Sequence, residues 1–318
     1  MANVADLIAA VRADLAERER VLIAFSGGVD SSVVAALAHD ALGEDAVACT
    51  AKSETLPAAE LDGARRVAEE IGIRHEIVEF SELDSDQFVQ NDGDRCYHCR
   101  SMRLGAMYDR ARELGIDVVC DGTNASDADG GHRPGLRAVE ELNAYSPLLE
   151  GGVTKEQVRE IAREYDLSVA DKPAMACLSS RIPTGLEVTE ARLTRVEKAE
   201  TIMRTWGFEQ FRVRDHDGLA RIEVGEDELE DALDPEFVRA ARSHIAEAGF
   251  DHVTIDLHGY STGSVSPAGE DATSADGTAE SGVSRDTRGD GEGESGPGTD
   301  GEPLVENVFE ADYPMADE

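Results

Sequence analysis

Positive charge is scarce in this chain: 30 lysines and arginines stand against 67 aspartates and glutamates in 318 residues, a formal net charge of −37. Only four of the cations are lysines (Lys52, Lys155, Lys172 and Lys198). That balance makes nucleic acid an unlikely partner, because binding it needs cations that replace the counterions of a polyphosphate. An acid-rich, lysine-poor composition resembles that of proteins from salt-accumulating halophiles, where high ionic strength screens self-repulsion. An acidic surface for recruiting a basic partner is the alternative. Long apolar runs are also missing. No segment approaches the roughly 20 residues that span a bilayer, so no membrane partner is expected. The opening MANVADLIAAVRADLAERER alternates apolar and charged residues at helical spacing, the pattern of a surface helix and not of a signal peptide. Cysteine is sparse at five, with one Cys-x-x-Cys pair. Reduced thiols and a cytoplasmic location are the expectation.

Strand-like runs at Val21–Phe25, Ala46–Thr50, His75–Phe80 and Val118–Asp121 are separated by helical stretches at Ser32–Ala41, Ala58–Ile71 and Ser101–Leu114. This alternation predicts an α/β fold, a doubly wound parallel sheet with ligands at the carboxyl ends of its strands. Thr154 and Gln157 have the spacing of a capping box that opens a helix to Tyr165. From Asp166 the pattern changes. A loop rich in Pro, Ser and Gly (Asp171–Leu186) leads to a helix (Thr189–Trp206) and two strands (Gln210–Arg214, Leu219–Val224). A helix (Pro235–Ala248) and a strand (His252–Leu257) complete a smaller α+β domain. The expected organisation is therefore residues 1–165, 166–261, and a disordered acidic tail at 262–318 with 15 acidic and 2 basic residues.

The most informative segment is Ser26-Gly27-Gly28-Val29-Asp30-Ser31-Ser32, at the junction of the first strand and its helix. Two glycines let backbone N–H groups converge without Cβ obstruction beside a helix N-terminus, and three hydroxyls add donors. No Gly-Lys-Ser/Thr follows, so this is not the Walker loop. The SGGxDSS pattern matches the pyrophosphate loop of the ATP-pyrophosphatase (PP-loop) superfamily, which implies adenine nucleotide alpha-hydrolase-like architecture and ATP as ligand. Asp121, Gly122, Thr123 and Asn124, at the end of another strand, are candidates for the same pocket.

Cys96-Tyr97-His98-Cys99 is expected in a loop before a helix, and Cys177 in a second loop. By itself Cys-x-x-Cys fits zinc (with His98 as a further ligand), redox chemistry or an iron–sulfur cluster. Cys49 and Cys120 fall in core strands and read as inert hydrophobes. The loop, DRCYHCR, DGTNASD, KPAMACLSSRIPTG and HGYSTGS together resemble the LarE family, sulfur transferases of nickel-pincer nucleotide synthesis, from about Asp6 to Gly263. The resemblance implies adenylation of pyridinium-3,5-biscarboxylic acid mononucleotide by ATP and Mg²⁺, followed by thiolation. It also implies a homo-oligomer. Members with one cysteine sacrifice the residue that Cys177 matches. Members that also carry a Cys-x-x-Cys bind a [4Fe–4S] cluster, a role that would fall to Cys96, Cys99 and Cys177. Three thiolates on a cubane would leave one iron open.

Arg212 and Arg214 alternate along a strand and share a face. With Arg181 and Arg221 they are candidates to hold the phosphate of that small-molecule nucleotide substrate. Glu223 is a weaker metal candidate, and His98 and His216 have no clear role. A tRNA thiolase of the same superfamily, an amidating ligase of the NAD or GMP synthetase type, and a non-catalytic ATP-binding regulator with a zinc knot are the rival readings.

Overall fold

The computed structural model describes residues 3–128, 134–173 and 176–260; the stretch read as an acidic tail lies outside them. Four parallel strands, β1 (Val21–Ala24), β2 (Ala46–Lys52), β3 (Arg74–Glu79) and β4 (Val118–Cys120), form a sheet in the order β3-β2-β1-β4. Val21 pairs with Ala46 on one side and with Val118 on the other. The chain therefore steps outward from β1 to β3, then returns past β1 to place β4. That reversal makes a crevice at the carboxyl ends of the central strands.

Side chains alternate across the sheet. Val21, Ile23, Ala46 and Ala48 pack with α1 (Val4–Ala16), α2 (Val29–Leu42), α3 (Ala58–Ile71) and a helix at Lys155–Glu164. Leu22, Val47, Cys49 and Ala51 point the other way, against Leu104, Met107 and Ala111 of α4 (Arg95–Leu114). Helices on both faces explain why these strands read as nearly continuous apolar runs. The predicted capping box is present: the Thr154 hydroxyl accepts from Gln157 N–H, while the Gln157 side chain accepts from Thr154 N–H.

One expectation is corrected. α4 begins at Arg95, so Cys96 and Cys99 lie in its first turns and not in a preceding loop. Tertiary contacts outweigh the polar local sequence here: the Tyr97 hydroxyl donates to Glu141 at 2.5 Å, and the Arg137 guanidinium sits 3.8 Å above the Tyr97 ring.

A second sheet, order β5-β6-β7, comprises β5 (Phe211–His216), β6 (Leu219–Val224) and β7 (His252–Ile255), with β5–β6 antiparallel and β6–β7 parallel. Asp217 and Gly218, at φ 54 and 92, make the two-residue hairpin turn that closes β5 on β6. Val213, Ile222 and Val224 pack under helices Glu190–Thr205 and Pro235–Glu247. Phe88 belongs to this second core although it precedes α4. Fully buried Asn91 ties the same region to the Cys177 loop, its Nδ2 donating to Pro183 O at 2.8 Å and Leu186 O at 2.7 Å.

Candidate active site

The loop after β1 is built by its own small residues. Gly27 has φ +68, and a Cβ there would stand 2.7 Å from Ala64 Cα, so α3 can press against the loop only because that atom is absent. Gly28 is the extended residue before α2, with no side-chain cap on the helix's first N–H groups. Those amides and the positive end of α2 are left for an anion. The Ser26 and Ser31 hydroxyls lie 3.1 Å apart, and Ser31 Oγ also accepts from Ser26 N–H at 3.2 Å. Ser32 is buried beneath them. Across the crevice, a Cβ on Gly122 would meet Ser31 N at 3.0 Å, so glycine lets the turn after β4 abut the loop. Asn124 Nδ2 donates to Asp30 Oδ1 at 3.0 Å, and Lys155 Nζ donates to Asp30 Oδ2 at 2.5 Å.

These pieces open on a cavity of about 660 Å³. Ser26, Asp30, Ser31, Asp121, Gly122 and Thr123 line one part of it, and Cys96, Cys99 and Cys177 line another. Gly27, Gly28, Val29, Ser32 and Asn124 do not line it; Val29 is buried as the first residue of α2. Cys177 comes from a loop fixed by the Leu178 N–H bond to Thr55 O at 3.0 Å.

The thiols differ in character. Burial pushes the Cys177 thiol up, but the Arg95 and Arg103 guanidiniums and hydrogen bonds from Ser179 and the Ser180 N–H outweigh it and hold it below its ordinary value. Burial pushes Cys99 far up despite Arg103, assisted by the charges of Cys177 and Glu82 and by its 3.3 Å bond to Glu82 Oε1. Cys96 is exposed. Cys49 and Cys120 are buried in the sheet, their thiols pushed up to about 12 chiefly by desolvation.

Three soft sulfur donors around one cavity fit an iron–sulfur cluster in kind. Among the described residues, however, no three His, Cys, Asp or Glu side chains are gathered into a metal-binding group. Cys99 is engaged by Glu82, and Cys177 by Ser179 at 3.1 Å; cluster binding would exchange those contacts. His98 is likewise not gathered with the thiols into a zinc group.

The arginines expected to hold phosphate lie off this cavity. Arg181 is fully buried, paired with Glu200, and donates to Ala176 O at 2.5 Å and Cys177 O at 2.9 Å. It therefore holds the cysteine loop. Arg214 bonds Glu223 at 2.7 Å and Ser180 O at 3.1 Å. Arg212 donates to Phe211 O at 2.6 Å, and burial together with the Arg181 charge lowers its proton affinity. Sequence reasoning missed Arg95, Arg100 and Arg103. Once α4 begins at Arg95, Cys96, Cys99, Arg100 and Arg103 recur at helical spacing on one face.

A glycine-and-serine anion loop at the switch point of a parallel sheet suits phosphate binding. Its SGGxDSS sequence, together with the relatives of this chain, places the protein among ATP-using PP-loop enzymes. Residues 4–123 match the asparagine synthase family model. A pyridinium-3,5-bisthiocarboxylic acid mononucleotide synthase of Lactiplantibacillus plantarum is 36% identical over 264 residues, 83% of this chain and 95% of that protein. An uncharacterized Synechocystis sp. protein is 41% identical over 78% of this chain and 92% of its own length. A tRNA-specific 2-thiouridylase of Bradyrhizobium sp. is 33% identical, but over only 49% of this chain and 48% of that protein. The chain belongs to the LarE family. No helix among the described residues is long and apolar enough to cross a membrane.

Proposed function

We propose that the protein adenylates the carboxylates of pyridinium-3,5-biscarboxylic acid mononucleotide and converts them to thiocarboxylates. One observation carries this reading: the phosphate loop and all three candidate sulfur ligands line the same cavity. An activated acid formed over the loop stands in the cavity that the thiols line.

ATP enters as its Mg²⁺ complex. Ser26, Ser31 and the first amides of α2 hold the β- and γ-phosphates, and Asp30 stands beside them. The substrate carboxylate oxygen attacks the α-phosphorus, the bond to the bridging oxygen breaks, and pyrophosphate leaves into the loop. AMP is now a leaving group on the acyl carbon. The Cys177 thiolate attacks that carbon and AMP departs with the bonding pair. Loss of the Cys177 Cα proton to a base then breaks the Cβ–Sγ bond, leaving the thiocarboxylate and a dehydroalanine. Were Cys96, Cys99 and Cys177 to hold a [4Fe–4S] cluster instead, that group would supply the sulfide and spare the protein. Arg212, a buried cation with no carboxylate partner among the described ion pairs, and Arg214, which meets the Cys177 loop at Ser180 O, lie outside the lining of that cavity and are proposed to take the substrate's phosphate beyond it. The five free cysteines suit a reducing cytoplasm.

The test is anaerobic pyrophosphate release with the dicarboxylate nucleotide, read together with thiocarboxylate by mass. Release without thiocarboxylate would leave an adenylating enzyme of another kind. Repeated turnover that is lost on replacing Cys96, Cys99 or Cys177 singly supports the cluster. One turnover, with dehydroalanine at 177, supports sacrifice.

A further inference from the structure

Three cations reach the cavity from α4 in a chain that is otherwise strongly acidic: Arg95, Arg100 and Arg103. Two of them are committed to structure. Arg95 Nη1 donates to Asn91 Oδ1 at 2.5 Å and to Ser179 O at 2.9 Å, bracing the turn that follows Cys177. Arg103 is bound through both Nε and Nη2 to Glu82 Oε1, at 3.2 and 3.1 Å, and to Thr55 Oγ1 at 2.8 Å. Glu82 is fully buried, so withdrawing Arg103 would strand a carboxylate.

Arg100 differs in what it holds. Arg95 also bonds through one nitrogen, but to Asn91 and to carbonyls of the cysteine loop. The described bonds of Arg100 run through Nη2 to Asp121 Oδ2 and, at 3.4 Å, to Thr123 Oγ1. Asp121 is buried and Arg100 is its cation among the described ion pairs, but it has further donors. That carboxylate also accepts from Ser146 Oγ at 2.6 Å, Thr123 Oγ1 at 2.5 Å and Thr123 N–H at 3.2 Å. Arg100 can therefore keep Asp121 through Nη2 while Nε and Nη1, without a partner among the described bonds, serve a ligand in the cavity it lines. It stands one helical turn from Cys96 and directly after Cys99, with Asp121 and Thr123 leading back to the phosphate loop.

We infer that Arg100 clamps the substrate carboxylate that is to be adenylated, a specificity contact between the phosphate loop and the thiols. The inference rests on the adenylation reading above. An acid approaching ATP meets like charge, and Asp30, Asp121 and Asp127 also line the cavity. A cation with unused donors is what an anionic acceptor needs there.

The experiment uses the full chain and its Arg100→Ala and Arg100→Lys variants. Pyrophosphate release is measured while the dicarboxylate nucleotide and ATP are titrated separately. Arg100→Ala should raise KM for the acid by about ten- to a hundredfold, the worth of a charge-assisted contact. KM for ATP should change by no more than about twofold, and Arg100→Lys should recover part of the loss. A wild-type preference for the dicarboxylate over its carboxamide analogue should shrink in Arg100→Ala. An unchanged acid KM, or an equal rise for both substrates, overturns the inference while wild-type turnover preserves the adenylation reading. A wild-type chain that neither binds nor turns over the dicarboxylate overturns both.

Discussion

Arg181 and Glu200 form a buried bidentate ion pair, Nε to Oε1 at 2.8 Å and Nη2 to Oε2 at 3.1 Å, with side-chain exposures of 0% and 1%. The pair joins helix Glu190–Thr205 to the carbonyls of Ala176 and Cys177. It anchors the sulfur-bearing loop in the second core.

Removing one partner should therefore be costly. Glu200→Ala leaves an unpaired buried guanidinium and takes an acceptor from Val213 N–H, at 3.3 Å. Stability should fall by about 3–5 kcal/mol. Denaturant unfolding checks this, and a loss under about 1 kcal/mol would show that water reaches the pair.

Gly27→Ala should separate nucleotide binding from folding. The new Cβ meets the α3 backbone and demands φ +68 from an L-residue. A cost of about 1–3 kcal/mol is expected. ATP affinity should fall by more than thermal stability does, measured by equilibrium binding and thermal unfolding together.

His75 supplies a pH dependence. Burial lowers its proton affinity, Arg65 lowers it further and Glu76 opposes, while Nε2 lies 2.7 Å from Thr50 Oγ1. The unfolded chain binds this proton more readily, so stability from the neutral ring is full above about pH 6.5 and declines as pH falls through the folded value. Unfolding midpoints measured from pH 7.5 to 5 should drop more steeply in wild type than in His75→Gln. Equal slopes would count against this account.

Thiol alkylation should divide the five cysteines. In native protein at pH 8, Cys177 and Cys96 should react first and Cys99 more slowly, with Cys49 and Cys120 protected until unfolding. Peptide mass mapping over time gives the order. Early labelling of Cys120 would mean that β4 opens readily.

Legibility followed the range of the interaction. The strand–loop–helix unit at Val21–Leu42 and the capping box at Thr154 each lie in a short contiguous stretch, where backbone geometry and hydrophobic period carry the signal. The start of α4 was not visible in this way. Its first turn is held by Glu141 and Arg137, residues far along the chain, and the local run DRCYHCR reads equally well as a loop. That misplacement hid the arginines, because their shared face exists only once the helix does.

Sequence alone determined the parallel α/β sheet and the anion loop, since each rests on residue type and short-range spacing. Tertiary structure decided that Arg181 turns inward to Glu200, and that Cys177 shares a cavity with Cys96 and Cys99. It also set Arg100 on an aspartate that keeps other donors, whereas Arg95 and Arg103 hold the cysteine loop and buried Glu82. Burial and the pairing of charges depend on which distant segments meet, and no local pattern encodes that meeting.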